Sequence, residues 1–358
     1  MGTETVAAEF VPSAGMRMLG VAMDAYKQVF VAGKVARLLS RSNPLRRSGF
    51  ELDLVVESMC VEAEDVLSLT LVAQGGQRLP EWRPGAHLDV FLPSGRQRQY
   101  SLCGEPADRT RYRIAVRRIH DGGGGSRELH EVVRAGHALR IRGPRNAFTF
   151  IEAPSYLFIA GGIGITPILP MVRAAEAAGA RWKLAYLGRS RATMPFLDEL
   201  STCAGGELEI RPDDEFGTPD VADLIARADP GAAVYVCGPP PVLEAAQRTM
   251  FVVNPAGSLH TERFSALPVV GGKEFGLRLA RSGTTIRVSA DEPALAAIRR
   301  EIPSVAYSCQ QGFCGTCKVA VLAGDVEHRD RILPDSERVN FMLTCVSRAA
   351  GDGLVLDL

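Results

Sequence analysis

The chain of 358 residues has no net charge, its 41 basic side chains being matched by 41 acidic ones. That balance leaves no electrostatic footprint for nucleic acid. It has no apolar run long enough to span a bilayer, and no charged, apolar and small-residue leader, so neither a membrane-crossing helix nor secretion is expected. A cytoplasmic enzyme is the default reading. Cysteine is sparse, and eight in a chain this long make no disulfide framework. Cys60, Cys103 and Cys203 are expected to be small buried hydrophobes. What the chain does have is 46% hydrophobic side chains, enough for two or three globular domains with ample core.

The remaining cysteines carry the strongest pattern. Cys309, Cys314 and Cys317 share one loop, separated by four and then two residues, and Cys345 stands alone downstream. That is the spacing of a plant-type [2Fe–2S] centre, for which soft thiolates are suitable ligands. Structural zinc usually takes two short Cys-x-x-Cys knuckles instead. Gly312 and Gly315 supply backbone without a Cβ where a loop must wrap a cluster closely. A cluster of this kind accepts one electron at a time, so the rest of the chain is expected to supply single electrons.

Residues 1–47 form an N-terminal extension in which Leu19, Ala22, Met23, Tyr26, Val29 and Phe30 recur at helical spacing. Seven basic residues from Arg17 to Arg47 face the single acid Asp24. Such a helix lies on an anionic membrane surface, docks on an acidic partner, or packs on the next domain.

Residues 48–152 show short alternating runs, Glu51 to Val56, Leu67 to Val72, His87 to Leu92, Gln97 to Leu102, Tyr112 to Arg118 and Ala138 to Ile141, with turn residues between them. This is the pattern of a closed antiparallel β-barrel or sandwich. Arg98, Gln99, Tyr100 and Ser101 at a strand end offer a phosphate partner, a stacking face and a hydroxyl to a flat phosphorylated cofactor. Asp121 to Ser126, with Gly124 and Gly125, is either a flexible turn or an anion nest ahead of a helix.

Residues 153–267 alternate apolar strands with helices and read as a doubly wound α/β domain. The glycines after Ala160, Gly161, Gly162 and Gly164, do not match the Gly-x-Gly-x-x-Gly fingerprint. Thr166 is placed to cap the following helix, with Pro167 in its first turn. Cys237-Gly238-Pro239 at another strand end needs no explanation beyond a strand stop and a helix start. The strand Lys183 to Leu187 is followed by Arg189, Ser190 and Arg191 with no acid, a donor set suited to a 2′-phosphate or an ordinary charged loop. Residues 268–358 read as an α+β ferredoxin domain, with a helix capped by Asp291 and a second near Ser336 to Met342.

In that order, Arg98-x-Tyr100-Ser101-Leu102, Gly124-Gly125-Ser126, Gly162-Ile163-Gly164-Ile165-Thr166-Pro167, Cys237-Gly238-Pro239 and the cysteine set resemble the phthalate dioxygenase reductase and vanillate demethylase reductase family. The resemblance covers about residues 50 to 358. It implies FMN in the barrel, NAD(P)H in the α/β domain, and electron delivery from the ferredoxin domain to a Rieske oxygenase or a cytochrome P450. It places Arg98, Gln99, Tyr100 and Ser101 on the flavin and Gly124, Gly125 and Ser126 at its phosphate. Gly162, Gly164 and Thr166 take the pyrophosphate, Cys237 and Gly238 border the nicotinamide, and Phe264 covers the flavin. Ser101 and Cys237 are thus the expected catalytic pair. Arg189, Ser190 and Arg191 tilt the expectation toward NADPH, although relatives often use NADH. A cluster-based redox sensor would have no use for the first two domains, and a stand-alone NAD(P)H dehydrogenase acting on quinones no use for the last.

Overall fold

The computed structural model describes residues 50–358 apart from 121–123, 304, 308, 313 and 331. The amphipathic extension and the first half of the glycine run lie outside the described residues. Among the described residues no helix is long and apolar enough to cross a membrane.

Six strands, β1 (Phe50–Ala63), β2 (Val66–Ala73), β3 (Ala86–Phe91), β4 (Gln97–Ser101), β5 (Arg111–Arg117) and β6 (Ala138–Asn146), make an antiparallel sheet in the order β4-β3-β6-β1-β2-β5. Leu102 bridges Ile114, so the two edges meet and the sheet closes into a barrel. Alternation aims Leu54, Val56, Leu69, Leu71, Leu88, Val90, Ile114 and Ile141 inward, each at most 1% exposed. Each such side chain stabilises the fold by about 1.5–3 kcal/mol relative to exposure. Cys103 is buried as expected, but Cys60 is exposed. Pairing of β1 with β6 ends at Val55, and Cys60 lies beyond it, paired only with Ser68 of β2 and open to solvent.

The second sheet is wholly parallel, β7 (Ser155–Gly161), β8 (Arg181–Gly188), β9 (Glu207–Pro212), β10 (Ala233–Cys237) and β11 (Ser258–Glu262), in the order β11-β10-β7-β8-β9. Both of its faces are covered. Phe158, Tyr186 and Tyr235 pack with the helix Ile165–Ala177, whereas Ile159, Val234 and Val236 pack with the helix Pro240–Val253. Strand order reverses between β7 and β10, which makes the crevice above their carboxyl ends the natural ligand site. The helix after β7 begins one residue before Thr166, with Gly164 at its N-cap and no side-chain cap. Thr166 is therefore not the cap; its hydroxyl donates to the Ile163 carbonyl at 3.0 Å.

The third sheet holds β12 (Phe275–Leu279), β13 (Thr285–Val288), β14 (Lys318–Ala323), β16 (Phe341–Leu343) and β18 (Gly353–Leu356), in the order β13-β12-β18-β14-β16. The short β15 (Val326–Glu327) and β17 (Arg348–Ala349) pair beside it. The helix Ala294–Glu301 lays Leu295 and Ile298 on the sheet. Its N-cap is Pro293 rather than Asp291. The helix expected near Ser336 to Met342 is a single turn, Asp335–Arg338, because Phe341 to Leu343 pairs with β14 instead and buries Met342 and Leu343.

Candidate functional site

One cleft is walled by all three units. The barrel contributes His87 and Arg98 to Ser101, the parallel sheet contributes Glu262 to Phe264, and the cysteine loop contributes Tyr307 and Cys309 to Gln311. In the β3–β4 register His87 lies opposite Ser101, and β4 ends there, so the Arg-Gln-Tyr-Ser run opens into the cleft.

Whether these residues fit a flat phosphorylated cofactor is tested by what they leave open. The His87 Nε2 and the Tyr100 hydroxyl are buried and have no hydrogen-bond partner among the described residues. Such groups are costly unless something polar meets them. Burial, then the nearby Arg145 charge, lowers His87 to about 3, so its imidazole is neutral. Burial likewise raises the Tyr100 phenol. At the other end, the helix Gly125–Glu131 starts beside the two arginines of β4's approach. A Cβ on Gly125 would lie 2.5 Å from the Arg98 Nε, and one on Gly124 3.8 Å from the Arg96 guanidinium carbon. Gly124 adopts φ +78°, which favours glycine. Ser126 accepts the Ile119 N–H at 3.0 Å, leaving its own proton to donate. The set fits a phosphate at the glycine end and a ring system at the His87 and Tyr100 end. Arg96 escaped the sequence reading; its signal was its position two residues before Arg98, on the same face of the strand direction.

Ser101 reaches across to the second sheet, its Oγ donating to the Glu262 Oε2 at 3.5 Å. Removal from solvent raises the Glu262 carboxyl to about 8. Glu262 is also the register partner of Cys237. Cys237 itself is wholly buried, its thiol raised by burial, and it stands behind the cleft wall rather than on it. Glu262, which the sequence reading did not single out, faces Ser101 only because two neighbouring parallel strands are paired.

A second, larger cleft lies over the carboxyl ends of β7, β8 and β10, lined by Gly161 to Gly164, Arg189, Gly238 and Pro239. A Cβ on Gly164 would meet the Cys237 carbonyl at 2.2 Å, and one on Gly161 the Pro239 ring at 2.6 Å. The glycines are there so that the two loops can touch. Thr166 is buried and not on this wall. Phe264 lines both clefts and stands between them.

Of the three residues after β8, only Arg189 faces the cleft. Arg191 is held by Glu215 through Nε at 2.7 Å and Nη2 at 3.1 Å. Ser190 and Thr193 form a reciprocal capping box. Arg117, from barrel strand β5, joins Arg189 on the wall, and among the described residues neither makes an ion pair. Desolvation and the Arg189 charge lower Arg117, as expected for two like charges facing one space.

The cysteines gather in two pairs. The Cys309 N–H donates to the Cys314 Sγ at 3.4 Å, and the Thr316 hydroxyl lies 3.4 Å from the same sulfur. These hydrogen bonds, the Cys309 thiol first, lower Cys314 to about 4. The Cys345 thiol lowers Cys317, and the same contact raises Cys345. Among the described residues no three such groups converge as a single ion requires. Two thiolates on each of two irons is the arrangement of a [2Fe–2S] unit. Gly312 and Gly315, at φ +79° and +74°, turn the loop as expected, and a Cβ on Gly312 would meet Val346 at 2.8 Å.

Comparison with known proteins agrees with this geometry. Residues 277–350 match the 2Fe-2S iron-sulfur cluster binding domain family. The chain is 40% identical to the tert-butanol monooxygenase / tert-amyl alcohol desaturase reductase subunit of Aquincola tertiaricarbonis, over 86% of this chain and 96% of that one. Among solved structures, phthalate dioxygenase reductase, described as a modular structure for electron transfer from pyridine nucleotides to [2Fe-2S], superposes with a TM-score of 0.66 at 36% identity, over 86% of this chain and 98% of that one. An intact type IV self-sufficient cytochrome P450 monooxygenase gives a TM-score of 0.65 at 38% identity; there the match takes in 94% of this chain but only 45% of the longer protein. With its barrel, parallel sheet and ferredoxin sheet in that order, the chain belongs to the phthalate dioxygenase reductase family of NAD(P)H-dependent, flavin and [2Fe–2S] oxygenase reductases.

Proposed function

We propose that NADPH binds over the parallel sheet, that FMN fills the cleft shared by the three units, and that electrons leave through a cluster on Cys309, Cys314, Cys317 and Cys345 to an oxygenase component, of Rieske type or a cytochrome P450. The observation that carries this reading is the shared wall: the Arg98–Ser101 strand, Phe264 and the Cys309–Gln311 loop all border one opening. Bound flavin accepts two electrons as a hydride and releases them singly, which the nucleotide cannot do.

Each residue has a defined part in this reading. Arg96, Arg98, Gly124, Gly125 and Ser126 hold the flavin phosphate, the two guanidinium groups being the strongest donors available to it. Gln99, Tyr100 and His87 border the ring system. Glu262 keeps its proton at neutral pH and accepts the Ser101 hydroxyl, which holds that Oγ at the cleft wall. Gly162 and Gly164 bring backbone N–H groups to the pyrophosphate, while Cys237 and Gly238 shape the nicotinamide end from behind. Phe264 separates the two clefts until the nicotinamide displaces it.

Two finer choices follow. Among the described residues the barrel offers one phosphate cradle and no evident adenine platform beyond it, which supports FMN over FAD. Arg117 and Arg189, which line the nucleotide cleft and make no ion pair among the described residues, support NADPH over NADH. The test is anaerobic titration of the purified chain with NADPH, followed by flavin absorbance and by the electron-paramagnetic signal of the reduced cluster. Bleaching of flavin followed by the cluster signal is expected, and a chain that binds no flavin or never reduces its cluster sinks the reading.

A further inference from the structure

Tyr307 precedes the first cluster ligand, Cys309, by two residues, yet its hydrogen bonds are made to the barrel. Its hydroxyl donates to the Gln97 carbonyl, and the Gln97 Nε2 returns a hydrogen bond to the Tyr307 carbonyl at 2.8 Å. The Arg98 Nη1 also reaches the Tyr307 hydroxyl, at 3.5 Å. On the ferredoxin side the Arg299 guanidinium lies 4.2 Å from the tyrosine ring centroid, fixing the ring's plane. Gln97 and Tyr307 are each 2% exposed, although 210 residues separate them in the chain.

Buried reciprocal hydrogen bonds differ from surface contacts in that neither partner finds water when the pair opens. Two looser contacts lie beside this pair, Gln311 Nε2 on the Arg263 carbonyl at 3.0 Å and Arg145 Nη1 on the Thr316 hydroxyl at 3.3 Å. Of these cross-unit contacts the Gln97–Tyr307 pair is closed to solvent on both sides.

We propose that Gln97 and Tyr307 form a clasp that positions the cluster loop on the flavin cleft and thereby sets the rate of electron passage from flavin to cluster. The inference rests on the flavin and cluster reading given above. It follows from where the clasp sits: Gln97 adjoins Arg98, a wall residue of the flavin cleft, and Tyr307 stands two residues from Cys309. Any slack in the pair is therefore passed almost undiminished to the distance between the two centres. Electron transfer between fixed centres falls exponentially with that distance. The step moves one electron, oxidising the flavin by one and reducing the cluster by one, with no bond made or broken between them. Gln97 and Tyr307 are positioning residues; they hold the two sites and do not react.

The experiment uses the full chain loaded with flavin and cluster, in anaerobic stopped flow against NADPH, for Gln97→Leu, Tyr307→Phe and the double variant. Each single change removes one of the reciprocal bonds while keeping buried volume close to the original. Flavin bleaching in Gln97→Leu is expected at the wild-type rate, with the subsequent cluster reduction slower by about tenfold, a cost of loosened positioning. The double variant is expected to be slower than either single one, and amide hydrogen exchange in residues 305–312 to rise with it. A merely structural role would lower the melting temperature without separating the two kinetic phases. Unchanged cluster reduction in a Gln97→Leu protein with wild-type flavin and cluster content overturns the clasp. Wild-type protein that shows no flavin phase at all refutes the underlying reading instead.

Discussion

The Ser101 hydroxyl, on the last residue of a barrel strand, lies 3.5 Å from the carboxylate of Glu262, on the last residue of a strand in the parallel sheet. Two sheets of different units thus present their ends to each other at the cleft proposed for the flavin. The carboxyl's proton affinity makes that contact measurable. Burial raises Glu262 from 4.5 to about 8 in the fold. Below 4.5 both folded and unfolded chains hold the proton, and between 4.5 and 8 only the folded chain does. Stability therefore falls as pH rises through that window. Glu262→Gln should flatten this loss, and thermal melts of the two proteins across the window check it. Identical pH profiles would show that the carboxyl titrates normally.

Cluster and hydride chemistry sit on different sheets, so they should separate. Cys314→Ser is expected to remove the cluster, cut cytochrome c reduction by at least about tenfold, and leave ferricyanide reduction by NADPH nearly intact. Parallel loss of both in a folded, flavin-loaded variant would contradict the three-unit relay.

Gly125→Ala puts a methyl group 2.5 Å from the Arg98 Nε. The guanidinium must swing aside, and the expected result is protein that folds and keeps its cluster but retains much less flavin after dialysis. The ratio of flavin to iron in the purified variant reads this directly. Heat release of the wild-type cofactor and its chromatography should yield FMN; recovered FAD would refute the proposal for the barrel.

Arg117→Ala and Arg189→Ala are each expected to raise the KM for NADPH by about tenfold, the scale of one hydrogen bond to a charged group, and to change that for NADH little. Arg191→Ala should do less, because Glu215 already holds that guanidinium. Steady-state kinetics with both nucleotides decides, and a strong wild-type preference for NADH would reject the reading.

Much of this was legible in the residues themselves. Period-two runs such as Leu67 to Val72 and apolar runs such as Tyr156 to Ala160 became the expected strands, since alternation and continuous burial are local properties of a strand. The cysteine spacing carried the metal centre, because three ligands in one loop need little tertiary context. Local cues failed where the partner was distant. Asp291 and Thr166 looked like caps, yet the helices start elsewhere. Phe341 to Leu343 followed a helical pattern but was drawn into pairing with β14. The tertiary structure alone brought Arg117 beside Arg189, Glu262 against Ser101, and Gln97 onto Tyr307 across 210 residues. Sequence spacing determines which side chains one element presents together; which groups meet across elements depends on how sheets pack, and that is settled by burial of the whole core.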